Sequence, residues 1–283
     1  MHATSSGGAS QRRRAALIVI LAGTLVLSAL AAVAFAVTLR LVHVDQSDAS
    51  SFAPPAPRAP AQTGAIMPLA DVAAIALDAV VTVEVAAGDT SVALGTGWLL
   101  DDRGDVVTNQ HVIANQRRLR LVDRHGNAHT GTVVGVDPEA DLAVLRATDT
   151  IDGTPLPIDG GTDLPLPEDV VVLASARATG HGDSTGEQLV RLHQTVPLDR
   201  LGSDLPPVPG APSVYSDMMV LTGAVIYRGN SGGPVLDARG AVIGIVTLAS
   251  ETAAQAFAIP CSRVLAELRS LAGRTPASPS GTP

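Results

Sequence analysis

The stretch RGNSGGPVLD, residues 228–237, sets three glycines and a proline around Ser231, just ahead of an apolar run. Glycine is used where the backbone takes unusual angles or where another group must approach it closely, so this loop is built to hold one hydroxyl in a fixed place. A tight turn between strands would explain the glycines alone. A nucleophile loop explains the serine as well: Ser231 is presented for attack, and the backbone N–H groups of Gly229 and Ser231 converge as an oxyanion hole. A serine is a weak nucleophile at neutral pH and needs a base, and the base needs a group that orients it. His111, in the stretch GTGWLLDDRGDVVTNQHVIAN, stands where a strand ends after an Asp-Arg-Gly turn, a place that is rigid yet able to face a cleft. Asp141 leads into the strongly apolar DLAVLRA, where an unpaired carboxylate would be costly and a histidine N–H would satisfy it. Asp137 is the other candidate acid, but it lies in VDPEA, where Asp-Pro reads as a turn.

Positioning three such side chains from distant parts of the chain requires a rigid frame. Eight short β-type runs (VVTVEV, VALGTGWLL, DVVTNQ, RLRLVD, TGTVVGV, DLAVLRA, VVVLAS and GAVIGIVTL), separated by Gly- and Asp-containing turns, predict an all-β barrel or sandwich rather than alternating βαβ units. No internal repeat stands out. The stretch AIPCSRVLAELRSL predicts a closing amphipathic helix with Val264, Leu265, Leu268 and Leu271 on one face. Cys261, the single cysteine, has no partner for an internal disulfide and reads as a small buried hydrophobe. Aromatic residues make up only 2% of the 283, so Val, Leu, Ile and Ala must fill the core. The net charge of −8 argues against nucleic acid as a partner.

Residues 15–39 carry no charge and follow Arg12, Arg13 and Arg14. A helix of that length reaches about 37 Å, more than the roughly 30 Å hydrocarbon core, and the arginines would stay in the cytoplasm. The expectation is a single transmembrane anchor at 15–39 behind a cytoplasmic 1–14. A signal peptide cut near Ala34-Phe35-Ala36 is the alternative. Residues 40–66, rich in Pro, Ala and Ser, read as a linker, 67–273 as the folded domain and 274–283 as a disordered tail. His125 and His129 flank a probable Gly-Asn turn and do not have helical metal-ligand spacing, so no metal or other cofactor is expected. His181, His193, His2 and His43 read as solvated.

His111, Asp141 and Ser231 follow one another in the order of the chymotrypsin-type triad, as opposed to the subtilisin or α/β-hydrolase orders. TNQHV, DLAVL, GNSGGPV and FAIP resemble, in order, motifs of the HtrA-type (Deg) chymotrypsin-fold serine proteases. The resemblance spans roughly residues 67–270. It implies two six-stranded β-barrels with the active site between them, His111 as general base, Asp141 as its orienter and Ser231 as nucleophile toward protein or peptide substrates. It implies further a pocket walled by Val225, Ile226, Ile245, Val246, Thr247, Phe257, Ala258 and Ile259, none charged, and hence a preference for small to medium apolar side chains. The expected protein is a membrane-tethered, extracytoplasmic endopeptidase serving envelope quality control or regulatory proteolysis. A homo-oligomer is compatible with the resemblance, and a catalytically silent binding module on the same fold is the rival.

The sequence departs from the family in three places. No PDZ domain is expected after the peptidase domain, because so little sequence follows Pro260. The stretch VLASARATGHGDSTGEQLV stands where the family has a Gly-Asn-Pro-Phe-Gly-like turn, and MMVLTGAVIYRGN lacks the usual Thr-Asp-Ala segment, which puts constitutive activity in question. Asn230 precedes the nucleophile where trypsin-like zymogens use an aspartate, so activation by an N-terminal ion pair is not expected.

Overall fold

The computed structural model describes residues 65–87, 90–160, 164–181, 183–198, 212–223, 227–250 and 254–275. The predicted anchor at 15–39 and nearly all of the predicted linker and tail lie outside these residues. Among the described residues, no helix is long and apolar enough to cross a membrane.

A short helix α1 (Leu69–Ala76) leads into the first six strands: β1 (Val80–Ala87), β2 (Thr90–Leu99), β3 (Asp105–Thr108), β4 (Arg118–Val122), β5 (Ala128–Asp137) and β6 (Leu142–Ala147). Between β3 and β4 lies the single turn α2 (Gln110–Ile113). These strands close into a barrel in the order β1-β2-β3-β6-β5-β4. The second half contains β7 (Glu168–Leu173), the single turn α3 (Ala176–Thr179), β8 (Ser184–Pro197), β9 (Val214–Thr222), β10 (Pro234–Leu236), β11 (Val242–Ser250) and β12 (Gln255–Pro260). Its barrel closes as β7-β8-β9-β12-β11-β10, the same order with every strand number raised by six. Closure removes the free sheet edges that short strands would otherwise expose. The expected all-β, double six-stranded architecture is what the chain adopts.

Alternation decides which side chains fill which space. Val170 and Val172 on β7, Leu189 on β8, Met219 and Leu221 on β9, Val235 on β10, Val246 on β11 and Ala258 on β12 form one cluster drawn from all six strands of the second barrel. The opposite faces of those strands join the first barrel in a larger cluster that includes Val171, Leu173, Val220, Leu236 and Ile245. The core is aliphatic: the largest fully buried side chains are Trp98 and otherwise Leu, Ile and Met. Each full burial of a Val, Leu or Ile contributes about 1.5–3 kcal/mol.

Helix α4 (Cys261–Ala272) begins where Pro260 ends β12 and packs on β5 and β6 of the first barrel and on β11 and β12 of the second. Val264, Leu268 and Leu271 are buried, as their spacing predicts, and Leu265 is half-buried against Gly160. Cys261 is buried, and burial together with the nearby charge of Asp159 pushes its thiol up to about 12, which leaves it inert. The other end of the helix is tied by Arg146. Its guanidinium donates to both carboxylate oxygens of the fully buried Asp105 at 2.7 and 2.9 Å and to Ala272 O at 2.7 Å. Those hydrogen bonds to Asp105 raise the Arg146 pKa. Arg146→Ala strips Asp105 of this pair but leaves Arg103 3.0 Å away. The expected loss is about 3 kcal/mol, the lower end of the range for breaking a buried pair, read from the urea midpoint. Asp105→Asn/Arg146→Met should recover part of it, because no charge is then left stranded.

Candidate active site

Strand β3 delivers His111. Thr108 ends the strand, Asn109 is fully buried, and α2 starts one residue later. Asn109 Nδ2 and the Gln110 amide both donate to Asp141 O, at 3.0 and 3.2 Å. These two bonds hold Asp141 in a left-handed conformation, φ 54°, that non-glycine residues rarely adopt. The turn before it is capped by Asp137, whose Oδ1 accepts from the amides of Glu139 and Ala140 at 3.0 and 3.1 Å. The alternative acid therefore shapes the β5–β6 turn.

The Asp141 side chain is 1% exposed and receives three donors. The His111 amide donates to Oδ1 at 3.0 Å, and His111 Nδ1 lies 2.8 Å from Oδ2. The Thr247 hydroxyl donates to Oδ2 in a short hydrogen bond. A carboxylate has no proton to give, so Nδ1 must carry the hydrogen and Nε2 keeps its lone pair, which is the tautomer a general base requires. His111 is partly accessible, its side chain 13% exposed. Tyr215 is buried nearby; burial, then the charge of Asp141, raises its pKa and keeps the phenol neutral.

The loop carrying Ser231 rests directly on the first barrel. Thr96 N donates to Ser231 O at 2.9 Å and Thr96 Oγ1 donates to Gly229 O at 2.7 Å. Asn230 closes the loop on itself: its Oδ1 accepts from Tyr227 N at 3.0 Å and its O from Gly233 N at 2.8 Å. That is what the amide does in the place of an aspartate. Gly229 and Gly232 have φ values of 97° and 86°. A Cβ on Gly232 would collide with Thr96 O and Thr108 Oγ1, and one on Gly229 with Ala178 O. The glycines are there for close approach and for backbone angle at once. Among the described residues, neither the Gly229 nor the Ser231 amide donates to a backbone carbonyl.

The Ser231 hydroxyl donates to Thr247 O at 3.4 Å, a long bond. Thr247 thus touches the acid through its hydroxyl and the nucleophile through its carbonyl, so the second barrel ties the two together. The sequence reading placed Thr247 in a pocket wall; the structure puts it, 1% exposed, against Asp141. The other walls expected on β11 and β12 need the same correction. Ile245, Val246, Ala258 and Ile259 are at most 1% exposed and fill the two cores, and Phe257 is buried with them. Val225 and Ile226 lie outside the described residues. Thr247→Val should lower kcat about tenfold or more, because a hydrogen bond to a charged acceptor contributes about 1.5–3 kcal/mol, with KM little changed.

Three other described histidines have structural partners. His129 is buried with Nδ1 3.1 Å from Asp149, and the exposed His193 lies 2.5 Å from Asp217. His181 is exposed, its ring edge-on to Tyr227 with centroids 3.7 Å apart. Among the described residues, no group of three or more His, Cys, Asp or Glu side chains could hold a metal ion.

The trypsin-like peptidase domain matches residues 95–245, just over half of the chain and including all of His111, Asp141 and Ser231. The chain belongs to the trypsin-like peptidase family. Within it, this peptidase domain is similar to those of HtrA-type serine proteases. It is 35% identical over 177 residues to serine protease HTR4 of Bos taurus, a match covering 62% of this chain and 34% of that protein. Mitochondrial serine protease HTRA2 of Bos taurus is 32% identical over 202 residues, covering 69% and 41%. The chain therefore spans less than half the length of these relatives. Among solved structures, the active form of the Rv3671c protease from M. tuberculosis superposes with a TM-score of 0.60 at 24% identity, covering 82% of this chain and 97% of that one, a likeness of fold. A variant of the HtrA-type protease AlgW, solved with a tripeptide, gives a TM-score of 0.57 at 26% identity over 73% of this chain and 64% of that one.

Proposed function

We propose that this trypsin-like peptidase is a serine endopeptidase that cleaves proteins through an acyl-enzyme. The observation that carries the reading is the Asp141 carboxylate, ringed by the His111 amide, His111 Nδ1 and the Thr247 hydroxyl, with Thr247 O at the Ser231 hydroxyl. Rotation about χ1 of Ser231 releases the long bond to Thr247 and turns Oγ to the imidazole. His111 Nε2 takes the hydroxyl proton as Oγ attacks the peptide carbonyl. The developing oxyanion is met by the Gly229 and Ser231 amides, and the imidazolium by Asp141. Transfer of that proton to the leaving amine breaks the C–N bond. Water, activated by the same imidazole, then hydrolyses the ester.

The uncharged run at 15–39 behind three arginines supports a membrane anchor with the peptidase domain outside the cytoplasm, and the motif resemblance to HtrA-type proteases is the ground for proposing a role in protein quality control or regulatory proteolysis. A second reading, a silent binding module, is favoured by one observation: the Ser231 hydroxyl bonds Thr247 rather than His111. A fluorophosphonate probe separates the two. Covalent labelling that peptide mapping places on Ser231 supports the enzyme; full-chain protein that stays unlabelled while binding peptides supports the silent module.

A further inference from the structure

The segment that stands in for the family's Gly-Asn-Pro-Phe-Gly-like turn is not an open loop. It forms α3, four residues long, and one isolated turn of helix has no stability of its own. Something must hold it, and the tethers come from the first barrel. The Ser175 amide donates to Thr96 Oγ1 at 3.0 Å, and the Ser175 and Thr82 hydroxyls are 2.5 Å apart. Two residues on, within the turn, Arg177 Nε donates to Glu84 Oε1 in a short ion pair. Glu84 sits on β1 with its side chain 1% exposed. Ser91 Oγ donates to its other oxygen at 2.5 Å, and Arg120 Nε lies 3.7 Å away. Burial alone would push this carboxyl up, but the hydrogen bonds from Ser91 and Arg177 and the charges of Arg177 and Arg120 hold it below the ordinary carboxylate range.

The far end of α3 meets the nucleophile loop. Ala178 O occupies the space a Cβ on Gly229 would need. On its other side, Gly229 O is held by Thr96 Oγ1, the same hydroxyl that takes the Ser175 amide. Gly229 is therefore gripped between β2 and α3, by its carbonyl on one side and its Cα on the other, and α3 is gripped by Glu84.

We infer that the Glu84–Arg177 pair makes α3 a strut that fixes the Cα and carbonyl of Gly229 and through them the direction of its N–H, so that both residues are positioning residues for the oxyanion hole. The inference rests on the endopeptidase reading. Arg177 touches no reacting atom; without it α3 loosens and the Gly229 amide is no longer held toward the developing oxyanion. Complete loss of one oxyanion donor costs about 10²–10³-fold in kcat, and a donor that is mobile rather than absent should cost on the order of tenfold.

The test measures kcat per titrated active site and KM with one peptide substrate for the wild type, Arg177→Ala, Arg177→Lys, Glu84→Gln and the Glu84→Gln/Arg177→Ala double variant. Truncating Arg177, whose side chain is 55% exposed, leaves the buried Glu84 with Ser91 and Arg120, so the fold should survive with a lower Tm. The expected result is a fall in kcat of about tenfold for Arg177→Ala, KM within twofold, partial recovery in Arg177→Lys, and a double variant no worse than its worse single. A merely structural role would lower the fraction of titratable sites or the Tm while leaving kcat per site unchanged. That result, or a change confined to KM, overturns the strut. Should Arg177→Ala fail to fold, Arg177→Lys and Glu84→Gln carry the same comparison. Absence of hydrolysis and of fluorophosphonate labelling in the wild type would instead overturn the endopeptidase reading itself.

Discussion

Replacing Ser231 by alanine is expected to reduce kcat/KM for peptide hydrolysis by on the order of 10⁴- to 10⁶-fold while leaving the fold unchanged. The fold should be indifferent because, among the described residues, the hydroxyl makes one bond, to Thr247 O at 3.4 Å, and Ser231 is only half-buried. What holds the loop is backbone: Thr96 N on Ser231 O, Gly232 N on Val246 O and Gly233 N on Asn230 O, all of which an alanine keeps. Residual activity would come from water attack on a carbonyl polarised by the Gly229 and Ser231 amides. The measurement is a progress curve at high enzyme concentration, alongside a urea midpoint. Activity within tenfold of wild type would remove Ser231 from the chemistry.

Asp141→Asn should be nearly as severe, about 10⁴-fold in kcat, and the reason lies in the count of donors. The carboxylate accepts from the His111 amide on one oxygen and from His111 Nδ1 and the Thr247 hydroxyl on the other. Asparagine offers one oxygen and one NH₂ group in the same volume. With the oxygen toward the His111 amide, the NH₂ faces Nδ1 and forces the proton onto Nε2, the nitrogen that must act as base. Turned the other way, the NH₂ opposes a backbone N–H in a buried site, which costs roughly 1–3 kcal/mol. Steady-state kinetics of Asp141→Asn beside Thr247→Val separates the two effects: the valine leaves the tautomer intact and should lose far less. Equal losses in both would mean that the imidazole tautomer is not what Asp141 controls.

Local pattern made several elements legible before any pairing was known. The runs at β1 to β7 and β11 read as strands because β-branched residues cluster there between turn residues, and α4 because its apolar residues recur at helical spacing. Strand β8 escaped that reading: along STGEQLVRLHQTVP most residues are exposed or half-buried, so alternation is too weak to see. The pocket walls on β11 and β12 failed for a different reason. Val246 pairs with Ala258 and Leu248 with Phe257, so the register shifts and Thr247 is left without a cross-strand partner. A bulge of this kind re-aims one side chain against the strict alternation that a sequence suggests. Thr247 itself stays on the Ile245 face, toward Asp141, and the side chain the bulge re-aims is Leu248, which joins the cluster of Ile245 instead of that of Val246.

Read alone, the sequence determined which side chains carry chemical potential and in what order they come: His111, Asp141 and Ser231 in motifs dense enough to name a family, on an all-β chain closed by an amphipathic helix. These are properties of residue type and short-range spacing, which the chain encodes locally. Tertiary structure alone decided that the two halves repeat one barrel order without visible sequence repetition, that Thr247 joins acid to nucleophile, and that α3 props Gly229 against Glu84 from 93 residues away. Each depends on which strands pair and in what register, and those pairings are chosen by the free energy of closing two cores at once, a quantity spread over the whole chain and written in no single stretch of it.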